Sequence, residues 1–314
     1  MKLKKHILVL ISILSSIFFS TCSRDVNIPG SEPCGDLPPS SHPFGYQYQQ
    51  PDVSYNAACF NPTNPNEIVY IKGVYPTNTT QLVKYNLVTK NETVLTTNIW
   101  ENPQWGLQGW ILFNHADNQI WKIKSNGDSL TQLTFQGGFG PIWNPLGDKF
   151  AFWNQISSTY YSFFSDIDGN IYDTLFYPKV FYRGAWSSDG NKIATGFGIG
   201  LAYINLSTQQ MVQVAVPTNS NAPVNSLDWF PDSQTIVWCS NEGIFKTNIS
   251  TGNTCQIKTA CTSKMYIWPS VSPDGTKIIV QRFDSRVIGD NTLYTESNIV
   301  IMNADGSNEK KVEF

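Results

Sequence analysis

The sequence predicts an all-β fold, a six-bladed β-propeller of four-stranded antiparallel blades, over residues 51–314. Three observations predict it. A turn phrase recurs six times, beginning at residues 60, 105, 143, 186, 229 and 271. Each repeat carries a second turn between two further bursts of β-formers. Nothing from residue 52 onward sustains a helical period. Four short strands per repeat of about 40 residues make the blade of a propeller.

The repeated phrase is an aromatic or apolar residue, a turn rich in Pro, Asp and Gly, then β-formers. Phe60-Asn61-Pro62 leads to Ile68-Val69-Tyr70-Ile71, and Trp105-Gly106-Leu107-Gln108-Gly109 to Ile111-Leu112-Phe113. Trp143-Asn144-Pro145-Leu146-Gly147 precedes Phe150-Ala151-Phe152, and Trp186-Ser187-Ser188-Asp189-Gly190 precedes Ile193-Ala194-Thr195. Trp229-Phe230-Pro231-Asp232 precedes Ile236-Val237-Trp238, and Val271-Ser272-Pro273-Asp274-Gly275 precedes Ile278-Ile279-Val280. The second turns are Thr89-Lys90-Asn91, Asn126-Gly127, Asp168-Gly169, Ser207-Thr208, Thr251-Gly252 and Asp305-Gly306. Asn-Gly and Asp-Gly tolerate positive φ and favour hairpins.

A lone four-stranded sheet has two apolar faces and no core, so it gains stability only by stacking on neighbours. The 10 Trp suit the wedge between blades, where most of them are expected. Lys310-Lys311-Val312-Glu313 reads as the outermost strand of the last blade, and blade one begins near Ser54. Ring closure is then expected to rest on packing between blades one and six, with Tyr46-Gln47-Tyr48 available as an added edge strand.

The N-terminus reads as an address. Lys2, Lys4 and Lys5 precede an apolar run from Ile7 to Phe19. That run is shorter than the about 20 residues a membrane span needs. Residues 1–21 have the pattern of a secretory signal peptide. Phe19-Ser20-Thr21-Cys22 resembles the lipobox of bacterial lipoproteins, with Phe19 and Thr21 in place of the usual Leu and Gly or Ala. The resemblance implies a lipidated Cys22; ordinary cleavage leaving a free thiol is the alternative. Ser23, where an inner-membrane protein has Asp, favours the outer membrane by analogy. The expected address is the bacterial cell envelope, with the periplasmic side preferred to the surface. Residues 22–50 hold eight Pro and Gly after position 28 and no apolar period, and read as an extended tether.

Composition narrows the chemistry. The formal net charge is −3, and without the signal 18 Lys and Arg stand against 24 Asp and Glu. No basic patch supports nucleic-acid binding, and the membrane contact expected is the N-terminal lipid alone. Of the 3 His, only His115 lies in the repeats, which leaves no His-based metal cage and no cofactor. A Ser-His-Asp triad would have to use His115, and no Gly-x-Ser-x-Gly elbow accompanies it. Asp166-Ile167-Asp168-Gly169-Asn170 looks like the start of a calcium loop, but its downstream Glu is missing and a hairpin turn accounts for it. Gly137-Gly138-Phe139-Gly140 and Gly196-Phe197-Gly198-Ile199-Gly200 precede strands, so neither is a phosphate loop. Cys255 and Cys261 stand close enough to bridge a strand end to its loop, and export permits disulfides.

Trp186-Ser-Ser-Asp-Gly-Asn-Lys-Ile-Ala, Val271-Ser-Pro-Asp-Gly-Thr-Lys-Ile-Ile-Val and Ile299-Val-Ile-Met-Asn-Ala-Asp-Gly-Ser-Asn resemble the W-S-P-D-G-K-x-I-A repeat of TolB-like propellers. The resemblance spans residues 52–314. It is specific for architecture and unspecific for function, because exported lipoproteins and the propellers of peptidases share the repeat. TolB has an α/β domain before its propeller, where this sequence has a tether, and a peptidase would need a hydrolase domain.

What remains is a binding surface. The tight turns lie on one face, and the second-to-third and blade-to-blade connections lie on the other. On that other face are placed Tyr75, Phe139, Tyr177, Phe181, Tyr182, Arg183, Tyr266, Arg282, Arg286 and Tyr294, with Arg282–Ser297 as the longest connection. Aromatics with Arg are typical of protein hot spots. The expected function is a non-catalytic scaffold for an envelope protein partner, with glycan binding by the same aromatics as the alternative and an enzyme third.

Overall fold

The computed structural model describes residues 35–40, 45–176, 181–197, 200–214, 223–289 and 291–314. The segment read as a signal peptide, Cys22 and Tyr177 lie outside the described residues.

Strand β1 (Gln47–Gln49) comes first. Blade one is β2 (Val53–Asn61), β3 (Asn64–Val74), β4 (Thr79–Asn86) and β5 (Glu92–Thr97). Blade two is β6 (Ile99–Trp105), β7 (Trp110–His115), β8 (Ile120–Lys124) and β9 (Thr131–Gln132). Blade three is β10 (Phe139–Trp143), β11 (Lys149–Ile156), β12 (Thr159–Asp166) and β13 (Ile171–Phe176). Blade four is β14 (Ala185–Trp186), β15 (Lys192–Phe197), β16 (Gly200–Asn205) and β17 (Gln210–Val214). Blade five is β18 (Ser226–Trp229), β19 (Thr235–Ser240), β20 (Gly243–Asn248) and β21 (Thr254–Thr259). Blade six is β22 (Lys264–Val271), β23 (Lys277–Ile288), β24 (Thr292–Asn303) and β25 (Lys310–Lys311). Each blade is an antiparallel meander in chain order, as the six repeats predict.

The core lies between the blades. Among the described residues six apolar clusters fall one at each junction, from blades one and two round to six and one. Ile68, Val69, Ile111, Ile193, Ile236 and Ile278 are fully buried there, because a β-branched residue fits the pleated face of a sheet. The turn phrase is built as expected. In Ser272-Pro273-Asp274-Gly275, the Ser272 hydroxyl donates to Asp274 Oδ1 (2.6 Å) and accepts from the Lys277 N–H (2.9 Å). The Asp166–Asn170 segment is likewise a turn: Asp166 accepts from the Asp168 and Asn170 N–H groups, both at 2.9 Å.

The inner strands share a kink. Pairing shifts between Asn56 and Cys59, Glu101 and Gln104, Phe139 and Ile142, and Ile267 and Ser270. Ala57, Gly140 and Trp268 there, and Arg183 at the matching place before β14, have φ of 44°, 56°, 57° and 50°. A bulge re-aims the chain around it. The freed N–H groups are taken by the preceding blade: Ala57 donates to Gln281 Oε1 (3.0 Å), Gly140 to Asn114 Oδ1 (2.9 Å) and Trp268 to Ser226 Oγ (2.8 Å).

Closure uses packing and a strand. Phe314 stacks on Tyr55 at 4.3 Å between ring centres, with Tyr70 and Tyr85 at 4.5 and 4.9 Å. Strand β1 adds in parallel to the outer edge of β24, Gln47–Gln49 opposite Thr292–Tyr294, before the chain enters blade one. Two expectations need correction. The stretch read as a tether over residues 22–50 is docked where it is described: Leu37 N–H donates to Thr262 Oγ1 and Ser40 Oγ to Asn291 Oδ1, each at 2.7 Å. Arg282–Ser297 is no loop but the far half of the β23–β24 hairpin, paired from Arg282 opposite Asn298 to Ile288 opposite Thr292. Gly289, at φ 60°, allows the reversal.

Candidate functional site

The turn phrases fix the floor of an axial channel. Pro62, Leu107, Pro145, Ser188, Pro231 and Pro273, the third residue of each phrase, ring one end of a cavity of about 400 Å³. The inner strands form its wall. Asp228 in β18 lies in that wall, and its carboxylate accepts from the Val271 N–H and the Trp229 N–H, both at 2.8 Å. Burial raises its pKa to about 6, against the pull of those two bonds, and it has no salt bridge among the described residues. Cys59 also lines the wall; burial pushes its thiol up to about 11, so it is a poor nucleophile at neutral pH.

The opposite end is crossed by three side chains from alternate blades. Arg183 (blade four) meets Glu101 (blade two) at 3.2 Å, and its guanidinium lies 4.9 Å from the ring centre of Trp268 (blade six). The positive φ at Arg183 and Trp268 accompanies the bend that turns both into the channel mouth.

Beside this bridge lies an aromatic cluster. Phe139 sits 6.3 Å from Trp100 and 5.0 Å from Trp153. Tyr182 sits 5.0 Å from Trp153 and 5.4 Å from Tyr160. Trp100 and Phe139 lie at the starts of inner strands β6 and β10, Tyr182 lies just before β14, and Trp153 and Tyr160 lie in the β11–β12 hairpin, on the face away from the tight turns. Trp100 is 58% exposed. Gly140 makes the close packing possible, since a Cβ there would stand 3.1 Å from Trp153 Nε1. Trp100-Glu101 and Tyr182-Arg183 each give one aromatic to the cluster and one charge to the bridge, so the two form one surface.

The tryptophans explain why this surface stands out. Eight of the 10 Trp pack in or against the inter-blade clusters. The two that do not are Trp100 and Trp153, and both are in the surface cluster.

Sequence reasoning placed Phe139, Tyr182 and Arg183 on this face, and the structure brings them together. Tyr75 is an exposed residue of the β3–β4 turn in blade one and makes no ring contact with them among the described residues. Three placements need correction. Tyr266 is 2% exposed, an interior residue of β22 whose hydroxyl donates to Glu309 (3.2 Å). Phe181 is fully buried at the junction of blades three and four. Arg282 is spent internally, on Asp284 (2.8 Å) and Glu309 (2.5 Å). Arg286 lies on the extended hairpin, paired with Glu296 (3.2 Å) and 4.5 Å from the ring centre of Tyr294. Trp100, Glu101, Trp153, Tyr160 and Trp268 were missed; of these only Trp100-Glu101, an aromatic beside a charge shortly before the phrase, carries a local signal. His115 is local, its Nδ1 3.0 Å from Asp117. Cys255 and Cys261 are both disulfide-bonded.

The fold is that of a TolB-like six-bladed β-propeller. The structure is similar to a putative TolB from Agrobacterium tumefaciens, with a TM-score of 0.60 at 15% identity over 73% of this chain and 86% of that one. It is also similar to TolB from Acinetobacter baumannii, with a TM-score of 0.42 at 18% identity over 80% of this chain and 52% of that one. A chain of a nidogen/laminin complex gives a TM-score of 0.52 at 8% identity over 66% of this chain and 81% of that one. No protein-family model and no curated protein matches the sequence.

Proposed function

We propose that the protein is a non-catalytic interaction module of the bacterial cell envelope, lipid-anchored through Cys22 at the outer membrane. It presents the face holding Trp100, Phe139, Trp153, Tyr160, Tyr182 and Arg183 to a protein partner. One observation carries the reading: the two Trp not used to pack blades are both in that surface cluster, next to an Arg. Large rigid aromatics and Arg supply most of the energy at protein interfaces. Among the described residues no group of three or more His, Cys, Asp or Glu is placed to hold a metal ion.

Affinity capture from envelope extracts tests it, with Trp100→Ala and Tyr182→Ala as comparisons. A protein recovered by the parent and lost with both variants, at unchanged thermal stability, supports the reading. Capture of polysaccharide with no protein partner turns it toward the glycan alternative.

A further inference from the structure

A second cavity, of about 330 Å³, lies where β1 crosses from blade six to blade one. Its wall holds three aromatic rings, Tyr48, Tyr75 and Phe283. The rest of the wall is uncharged, with Gln49, Gln50, Ser54, Asn56 and Thr295 among its polar groups, and among the described residues it holds no Lys, Arg, Asp or Glu. On a chain with 24 acids and 21 bases, a pocket without charge selects for a neutral occupant.

The polar groups are held in order from behind. Gln281 Nε2 donates to Asn56 Oδ1 (2.9 Å), and Asn56 Nδ2 donates to Ser54 Oγ (2.9 Å). Ser54 Oγ then donates to the Tyr75 hydroxyl (3.3 Å). Each donor in this relay fixes the next, so the Tyr75 oxygen is already an acceptor and its own proton is directed elsewhere. Gly73 keeps the relay in place, since a Cβ there would come within 2.6 Å of Ser54 Oγ. The Gln49 and Gln50 amides have no hydrogen-bond partner among the described residues and stand at the rim with both donors and acceptors unused.

We propose that this cavity is a binding site for a neutral saccharide unit. A pyranose ring has an apolar C–H face that lies against aromatic rings, and an edge of hydroxyls that both donate and accept. Tyr48, Tyr75 and Phe283 supply the first surface; the Tyr75 hydroxyl, Gln49 and Gln50 supply the second. The size is at the lower end for small-ligand pockets, about 300–1,000 Å³. A proline-rich peptide also docks on aromatics, but it needs an extended groove, and this is a cavity of about 330 Å³. The site shares none of its lining residues with the Trp100–Tyr182 cluster, and the proposal does not rest on the protein-partner reading.

Saturation-transfer NMR and calorimetry on the full chain in detergent test it. The probes are cellotriose, maltotriose and chitotriose, with an anionic trigalacturonate and a proline-rich nonapeptide beside them. Binding of at least one neutral trisaccharide is expected at about millimolar Kd or tighter. Tyr75→Ala and Phe283→Ala should weaken it by about tenfold or more. Tyr75→Phe, which keeps the ring and the fold, should weaken it by about threefold. Trp100→Ala should leave it unchanged. No neutral saccharide bound at about 10 mM, equal binding by Tyr75→Phe and Phe283→Ala, or preference for the anionic sugar or the peptide would each overturn the proposal. If Tyr75→Ala does not fold, Tyr75→Phe and Gln50→Ala decide it.

Discussion

The Arg183 guanidinium lies 4.9 Å from the ring centre of Trp268, and the two residues come from blades four and six across the propeller axis. Glu101 of blade two holds the other side of the guanidinium at 3.2 Å. The channel is therefore capped on the face that carries the aromatic cluster and rimmed by turn residues on the other.

Arg183 is half-exposed, so its ion pair and cation–π contact contribute little to folding. Arg183→Ala is expected to cost less than about 1 kcal/mol by urea unfolding, while weakening partner binding by about tenfold. A large loss of stability would instead make Arg183 part of the scaffold.

Gly140→Ala should act locally. Its φ of 56° disfavours a Cβ, and the Cβ would press on Trp153 at 3.1 Å. The expected cost is about 1 kcal/mol with a displaced indole. Gly252→Ala has the same φ problem at 71° but nothing within 4 Å. It should lose similar stability and keep partner binding, which calorimetry and a binding assay on both variants would separate.

Asp228 predicts a specific pH dependence. Its folded pKa of about 6 lies above the ordinary 3.8 because the carboxyl is buried. Between these values the folded chain holds a proton that the unfolded chain has released. Its contribution to stability therefore falls as pH rises through that window and is flat above it. Asp274 and Asp305, held low by bonds from Ser272 and Ser307, give the opposite slope. The quantity to measure is the difference between wild type and Asp228→Asn in urea midpoints from pH 4 to pH 7.5. Parallel profiles would contradict the assignment.

The fold was legible because the turn phrase repeats and a hairpin turn needs Pro, Asp or Gly at set places. The face was legible in part. Phe139, Tyr182 and Arg183 sit in segments without strand alternation, so they read as surface. Trp100 and Trp153 sit inside runs of β-formers and read as blade packing. Nothing local marks Arg183 and Trp268 for positive φ, since bulky residues rarely adopt it; only their place three residues before Trp186 and Val271 relates them to Gly140. Tyr266 and Arg282 were misplaced because blade six has strands of 8 and 12 residues at those positions, longer than the repeat suggests. The β1 pairing came from a three-residue segment whose alternation is too short to read.

Phe314 tests closure. Its ring meets Tyr55, Tyr70 and Tyr85 of blade one. Phe314→Ala should remove about 2 kcal/mol. A drop of roughly 4–8 °C in the calorimetric midpoint is expected. A shift under about 1 °C would mean that β1 and the apolar junction close the ring without it.

The central claim is that the aromatic face, and not the tight-turn face, meets a protein. Site-specific photocrosslinking in intact cells tests it directly. A benzophenone amino acid at position 182 is compared with one at position 146, since Leu146 is exposed on the tight-turn side. The account predicts a discrete protein adduct from position 182 and none from position 146. An adduct from position 146 alone, or none from position 182 under conditions where both variants fold, would contradict it.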